Sequence, residues 1–295
     1  MGAREFEVRT KDGRRLIAAV AGPEDGELVL HHHGSPGSHL MFDRHVEEGA
    51  ERGLRHVSYS RPGYSGSDRR ARRSYADEVG DAIAVADSLG VESFYAIGLS
   101  GGGGPALACA ALVPDRVRSV VSASALGPRD GLGSDWLRGA LPDNVREFEI
   151  LEEGETELVA WIKPQLAEWI QVRTVEDLES DLDGYTCDAD KNLSEGYQAY
   201  RLAACQAFGP TDLWGWFDDD WAMWLPWGFD LAAITVPATI WQGGQDRLVP
   251  PQNAEWLAAN VPGATPRFFP EMGHMSLFDN HYGEMLDDLI ASARS

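Results

Sequence analysis

Ser100 lies in the run Gly98-Leu99-Ser100-Gly101-Gly102, between an apolar stretch at 93–99 and a stretch of small residues at 101–113. This is the G-x-S-x-G pattern in a strand–turn–helix setting. A serine at so sharp a turn needs a strained backbone, so its neighbours must lack bulky side chains. The N–H groups opening the following helix favour negative charge beneath the hydroxyl. A glycine-rich turn without chemistry would look the same, so the partners decide. Serine is a poor nucleophile without a base. His274, in Glu271-Met272-Gly273-His274-Met275, offers one, because an imidazole of pKa about 6.5 suits a general base near neutrality. The base needs an orienting carboxylate. Asp246, in the run 243–250 after an apolar strand, is the leading candidate, and Asp130 is the alternative. At Asp246 the structural reading would be an Asx turn ahead of Pro250. Serine, acid and histidine follow one another in the order this chemistry uses on parallel sheets. The chemistry implied is acyl transfer.

Such a site also needs donors for an oxyanion. The N–H of Gly101 directly follows the nucleophile. A second N–H is available at Ser35, in His33-Gly34-Ser35-Pro36-Gly37-Ser38, whereas Pro36 has none to give. His31, His32 and His33 invite a metal reading. Neighbours on a strand point to opposite faces, so three in a row do not converge on one ion.

These residues require elements that hold them. The runs 5–10 and 16–21 read as a hairpin about Lys11-Asp12-Gly13-Arg14. Strands are expected at 28–33, 55–60, 93–99, 117–123, 238–242 and 265–269, and helices at 40–52, 74–89, 101–113, 252–259 and 275–293. Such alternation implies a mostly parallel sheet with helices on both faces. It breaks near Gly127, and 128–228 reads as helical segments rich in Trp and acidic residues. The expected organisation is therefore a core of 1–127 and 229–295 with a helical insertion at 128–228. Five tryptophans crowd 212–229. They either pin the insertion to the core or wall an apolar cavity, and Trp214, Trp221 and Trp224 are the candidates for substrate contact. Asp218, Asp219 and Asp220 read as a solvated face or helix cap, with attraction of a cationic amine as the other use.

The net charge of −22, from 25 basic and 47 acidic residues, disfavours nucleic acid and anionic membranes as partners. The basic residues Arg69, Arg70, Arg72 and Arg73 are the local exception and read as a solvated loop and helix start. Cys109, Cys187 and Cys205 are too few and too odd in number for a disulfide framework. The polar N-terminus lacks an apolar targeting core, and no stretch is apolar enough to span a bilayer. A cytoplasmic protein is expected, acting on a small molecule, as a monomer or homodimer, without a cofactor or metal.

The motifs HHHGSPGS at 31–38, SRPGYSGSD at 60–68, GLSGG at 98–102, GGQDRLVP at 243–250 and EMGHMS at 271–276 resemble those of the α/β-hydrolase superfamily, in the same order. The resemblance implies an α/β-hydrolase fold, a mostly parallel eight-stranded sheet with helices on both faces and an inserted helical lid. It implies Ser100 as nucleophile, Asp246 as acid, His274 as base, and Ser35 and Gly101 as oxyanion donors. The nucleophile position holds Ser, unlike the Asp of haloalkane dehalogenases and epoxide hydrolases of this fold. Gly103 and Gly104 extend the turn beyond the motif. The implied activity is a serine hydrolase of carboxylic esters. Alternatives are an amidase or aminopeptidase resembling proline iminopeptidases, a carbon–carbon bond hydrolase, or a non-catalytic ligand-binding or signalling protein on the same fold.

Overall fold

A computed structural model describes residues 2–180 and 187–293. The chain starts with the hairpin β1 (Arg4–Arg9) and β2 (Arg15–Ala21), whose turn is closed by Thr10 N–H donating to Arg14 O at 3.0 Å. There follow β3 (Glu27–His32), α1 (Asp43–Glu51), β4 (Leu54–Tyr59), α2 (Tyr75–Ser88), β5 (Phe94–Leu99), α3 (Gly103–Leu112) and β6 (Val117–Ala123). Every helix or strand described between β6 and β7 is helical, α4 (Arg129–Leu132), α5 (Pro142–Glu153), α6 (Glu155–Trp169), α7 (Val175–Ser180), α8 (Asp188–Lys191), α9 (Glu195–Gln206) and α10 (Leu213–Trp224) being the principal elements. Alternation resumes with β7 (Ala238–Gly243), α11 (Gln252–Asn260), β8 (Thr265–Phe269) and α12 (His274–Ala293).

The eight strands form one sheet in the order β1-β2-β4-β3-β5-β6-β7-β8. β2 pairs antiparallel with both β1 and β4, and every other pairing is parallel. One strand therefore runs against seven. Alternate residues feed two cores. Leu28 and Leu30 pack with α2 and α3 on one face, while Val29 packs with α12 on the other. A strand covered on both faces reads as a near-continuous apolar run, which is why β6 begins and ends where its sequence indicates, whereas β8 is an exposed edge strand.

Two helix starts differ from expectation. The helix expected from residue 40 begins at Asp43, because buried Phe42 is extended (φ −77°, ψ 124°) and packs against Tyr197 and Tyr200. The helix expected from residue 101 opens with a single tighter turn, Ser100–Gly102. Ser74 opens α2 with a reciprocal cap, its hydroxyl accepting from Asp77 N–H and the Asp77 carboxylate accepting from Ser74 N–H. Among the described residues, no helix is long and apolar enough to cross a membrane.

Candidate active site

β3, β5, β7 and β8 all end at one edge of the sheet, where open α/β sheets place their sites. At the end of β5, Ser100 adopts φ +55°, a left-handed conformation that costs a non-glycine residue energy. The surroundings hold it there. A Cβ at Gly98 would collide with Gly102 O, and one at Gly102 with His32 O. The added glycines also have a packing role, since a Cβ at Gly104 would strike the buried ring of Tyr75.

His274 is the first residue of α12 and is buried, as is Asp246 on the β7 loop. The His274 Nδ1 and Asp246 Oδ2 atoms are 2.8 Å apart. The other carboxylate oxygen, Oδ1, accepts from Leu248 N–H at 2.9 Å and Val249 N–H at 2.8 Å, while Gln242 Nε2 donates to Oδ2 at 3.1 Å. The turn role and the orienting role thus coexist in one side chain. Burial opposes a charged imidazole, yet the charge and hydrogen bond of Asp246, with the charge of Asp190, raise the His274 pKa above its usual value. Asp190, on α8, caps this loop from outside the sheet. Its carboxylate accepts from His274 N–H at 3.0 Å, Ser276 N–H at 2.8 Å and the Ser276 hydroxyl at 2.6 Å. Asp130 sits exposed on α4, among Arg129, Trp136 and Trp224, apart from His274.

The Ser35 loop lies against the Ser100 turn. A Cβ placed on Gly101 would lie 3.2 Å from Ser35 N, and one on Gly34 would lie 3.4 Å from Ser100 Cβ. Gly101 is in the first turn of a helix, where N–H groups have no intrahelical partner. The loop is fixed from behind. Arg61 donates through Nη1 to His33 O, and through Nη2 to Gly34 O at 2.9 Å and to Ser35 Oγ at 2.8 Å. Its own N–H donates to His33 Nε2 at 3.1 Å, so His33 Nδ1 carries the proton given to Gly34 O at 2.7 Å. Burial and the Arg61 charge hold His33 well below the usual histidine range.

Ser100, His274, Ser35 and Gly101 open onto one cavity of about 450 Å³. Its apolar walls include Phe148, Trp169, Phe208, Trp216, Met223 and Phe278. The three tryptophans expected to touch substrate lie elsewhere. Trp214 and Trp221 sit against Arg69 and Arg72, and Trp224 stacks on Phe148 and under Arg129. Guanidinium groups over their ring faces hold them on the outer side of the insertion. Trp216, two residues from Trp214, faces inward.

The acidic triplet is not a solvated face. Asp218, Asp219 and Asp220 are all buried. Nor are the basic residues a free loop. Arg69 pairs with Asp218 at 2.7 Å, Arg70 with Asp77 at 2.5 Å, Arg72 with Glu155, and Arg73 with Glu78 and Asp219. Arg69 and Arg73 thus bring two runs of opposite charge, far apart in sequence, together at Asp218 and Asp219, while Arg70 and Arg72 pair with other carboxylates nearer the surface. Asp220 instead meets Glu147 on the cavity wall. The two carboxyls hydrogen-bond each other, which requires a proton between them. Burial raises both, and Trp216 Nε1–H donates to Glu147 at 2.7 Å. His31 and His32 turn to opposite faces, His31 to His56 at 2.6 Å and Tyr282 at 2.8 Å, His32 to Tyr59 and Cys109.

Residues 27–281 match the family model described as the alpha/beta hydrolase fold. The chain belongs to the α/β-hydrolase family. Among curated relatives, this α/β hydrolase is 28% identical over 301 residues to a non-heme chloroperoxidase of Streptomyces lividans, covering 98% of this chain and 99% of that protein. It is 30% identical over 201 residues to epoxide hydrolase B of Mycobacterium tuberculosis, covering 66% of this chain but 55% of that protein's length. Its fold is also that of a putative aryl esterase from Burkholderia cenocepacia, at a TM-score of 0.70 and 18% identity over 99% of each chain.

Four residues at or behind the site of this α/β hydrolase escaped the sequence reading: Arg61, Asp190, Glu147 and the separate role of Asp219. For Asp219 a signal was present, because a strongly acidic chain carried one local basic cluster, and Arg73 of that cluster meets Asp219; Arg61 lies outside the cluster and left none. Asp190 and Glu147 lie in ordinary acidic helical sequence and left no such mark.

Proposed function

We propose that this α/β hydrolase is a serine hydrolase that cleaves a carboxylic ester of a small to medium, largely apolar substrate through an acyl-enzyme on Ser100. One observation carries the reading. The strained Ser100 and His274, with Asp246 bound behind the imidazole, open onto a single apolar cavity. Asp246 occupies Nδ1, which leaves Nε2 as the proton acceptor. His274 takes the Ser100 proton as the hydroxyl oxygen attacks the ester carbonyl. The N–H groups of Ser35 and Gly101 receive the oxyanion. His274 then gives the proton to the leaving alcohol, and water repeats the cycle on the acyl group. A hydroxyl rather than a carboxylate at the nucleophile position separates this reaction from epoxide opening. The helices between β6 and β7 serve as the lid that excludes water.

A second reading is favoured by the Glu147–Asp220 pair. A substrate carrying an ammonium group would find a negative partner on the cavity wall, as an aminopeptidase requires. A fluorophosphonate probe tests the chemistry, and a stable adduct on Ser100 is expected. Folded protein without the adduct would overturn the serine-hydrolase reading. A panel of p-nitrophenyl esters beside aminoacyl-anilides then separates the two readings. Ester preference is expected, and anilide preference transfers the conclusion to the second.

A further inference from the structure

We propose that Asp219, on α10 of the helical insertion, is a positioning residue for the oxyanion hole, acting through Ser35 and Arg61. The inference rests on the proposed role of Ser100. Neither Asp219 nor Arg61 lines the cavity, so neither touches substrate.

The Asp219 carboxylate gathers five donor contacts. Oδ1 accepts from Arg61 Nε at 3.1 Å and from Arg73 Nη2. Oδ2 accepts from Arg61 Nη2 at 2.6 Å, from the Tyr64 hydroxyl at 2.9 Å and from the Ser35 hydroxyl. Burial opposes its ionisation, but Arg61 and Arg73 hold the carboxyl well below the usual carboxylate range. A fixed negative charge thus sits under the loop. Arg61 carries its effect forward, because the same guanidinium grips His33 O, Gly34 O and Ser35 Oγ. Three consecutive loop residues are therefore held by one cation, and that cation is held by Asp219.

Ser35 is gripped twice, by Arg61 and directly by Asp219, while its N–H side faces Gly101. Losing the Asp219 charge would leave Arg61 with Glu78, and Arg73 with Glu78 and the more distant Asp218, and would set an amide NH₂ among the donors that one of the two carboxylate oxygens now accepts. Mutual repulsion of the two cations then loosens the fork that fixes the loop. The consequence falls on the transition state. The substrate carbonyl is nearly neutral when it binds and becomes an oxyanion only on attack, so a displaced donor lowers kcat and spares KM. A cluster that only stabilised the fold would lower the amount of folded enzyme and leave the kcat of the folded fraction unchanged.

The test uses Asp219→Asn and Ser35→Ala in the full chain, with folding checked by circular dichroism. Kinetics are read on p-nitrophenyl acetate, and inhibition with phenylboronic acid, whose tetrahedral adduct on Ser100 places an oxygen where the oxyanion would lie. Removing an oxyanion donor outright costs about 10²–10³-fold in kcat. For Asp219→Asn a loss of about 30-fold is expected, with KM within about twofold and the boronate inhibition constant rising in step with the loss. Ser35→Ala keeps the N–H and every charge of the cluster, and is expected to lose about fivefold in the same pattern. A folded Asp219→Asn with unchanged kcat overturns the proposal, as does a kcat loss that boronate affinity does not follow. If Asp219→Asn does not fold, Ser35→Ala decides, and unchanged kcat there overturns it. Wild-type protein is labelled with fluorophosphonate in the same series. An unlabelled Ser100 overturns the nucleophile reading and this proposal with it, whereas labelled wild type with unaffected variants overturns this proposal alone.

Discussion

Replacing Asp246 by Asn exchanges one oxygen for an amide nitrogen, and the structure says which of the two positions it takes. Oδ1 accepts from two backbone N–H groups, of Leu248 and Val249, neither of which has freedom to move. The Asn carbonyl oxygen must stay at that position, because placing an amide there would set three donors against one another. The new NH₂ then occupies the position of Oδ2, 2.8 Å from His274 Nδ1. A donor now faces the nitrogen that had carried the proton. The imidazole answers by moving its proton to Nε2, the nitrogen that must accept from Ser100. The enzyme folds, but its base is blocked. In the serine-protease case from which this reasoning descends, that tautomer error costs about 10⁴-fold in kcat, or about 5 kcal/mol of barrier. The same order is expected for Asp246→Asn. Pre-steady-state acylation with p-nitrophenyl acetate, followed through the nitrophenolate burst, measures it directly. Asp130→Asn, at an exposed position apart from His274, should acylate at the wild-type rate. A folded Asp246→Asn within tenfold of wild type, or loss of the burst in Asp130→Asn, would refute the reasoning.

Four other outcomes are expected. Because the protonated imidazole cannot accept and its pKa is raised, kcat/KM should climb with pH through a midpoint above about 6.5. Asp190→Asn should lower that midpoint by removing one of the charges that raise it, and a pH–rate profile showing no downward movement would contradict the assignment. Gly104→Ala forces a methyl against the Tyr75 ring and should cost about 1–3 kcal/mol in denaturant unfolding, whereas undiminished stability would show that the ring gives way freely. Trp169→Ala should change KM for aryl esters while Trp214→Ala leaves it alone, since Trp169 lines the cavity and Trp214 does not; the opposite ranking would put the substrate elsewhere.

Legibility followed sequence distance. The strand at 117–123 and the capped start of α2 depend on a local apolar run and on a serine three residues before an aspartate, so they could be read directly. Asp246 and His274, 28 residues apart, were legible because their loops follow strands that the parallel sheet brings to one edge. The Arg61–Asp219 contact spans 158 residues, and no local pattern specifies it. The tryptophans failed for a different reason. Two turns separate Trp214 from Trp221, which places them on one face of α10, while Trp216 is rotated from Trp214 by about 200°. Helical spacing divided them correctly into faces but could not say which face met the cavity. Burial of Asp218, Asp219 and Asp220 also went unread, because a triplet of carboxylates is a surface feature unless cations come to meet it.

The contacts made by Asp190 and Asp219 bear on how this chain could be re-engineered or could have diverged. Both carboxylates belong to the helical segment, yet one caps the turn that carries His274 and the other underlies the loop that carries Ser35. The segment is therefore not an interchangeable module laid over a finished catalytic unit. A chimera that grafts a foreign segment between β6 and β7 would need a carboxylate at each of the two positions, with Arg61 and Arg73 retained beneath one of them. A deletion that joins β6 directly to β7 would leave Arg61 and Arg73 with Glu78 as their remaining partner and take the Asp190 acceptor from Ser276 and the His274 N–H. Exchange of substrate preference by lid swapping is thus constrained at two anchor points, while the apolar wall between them is free to vary.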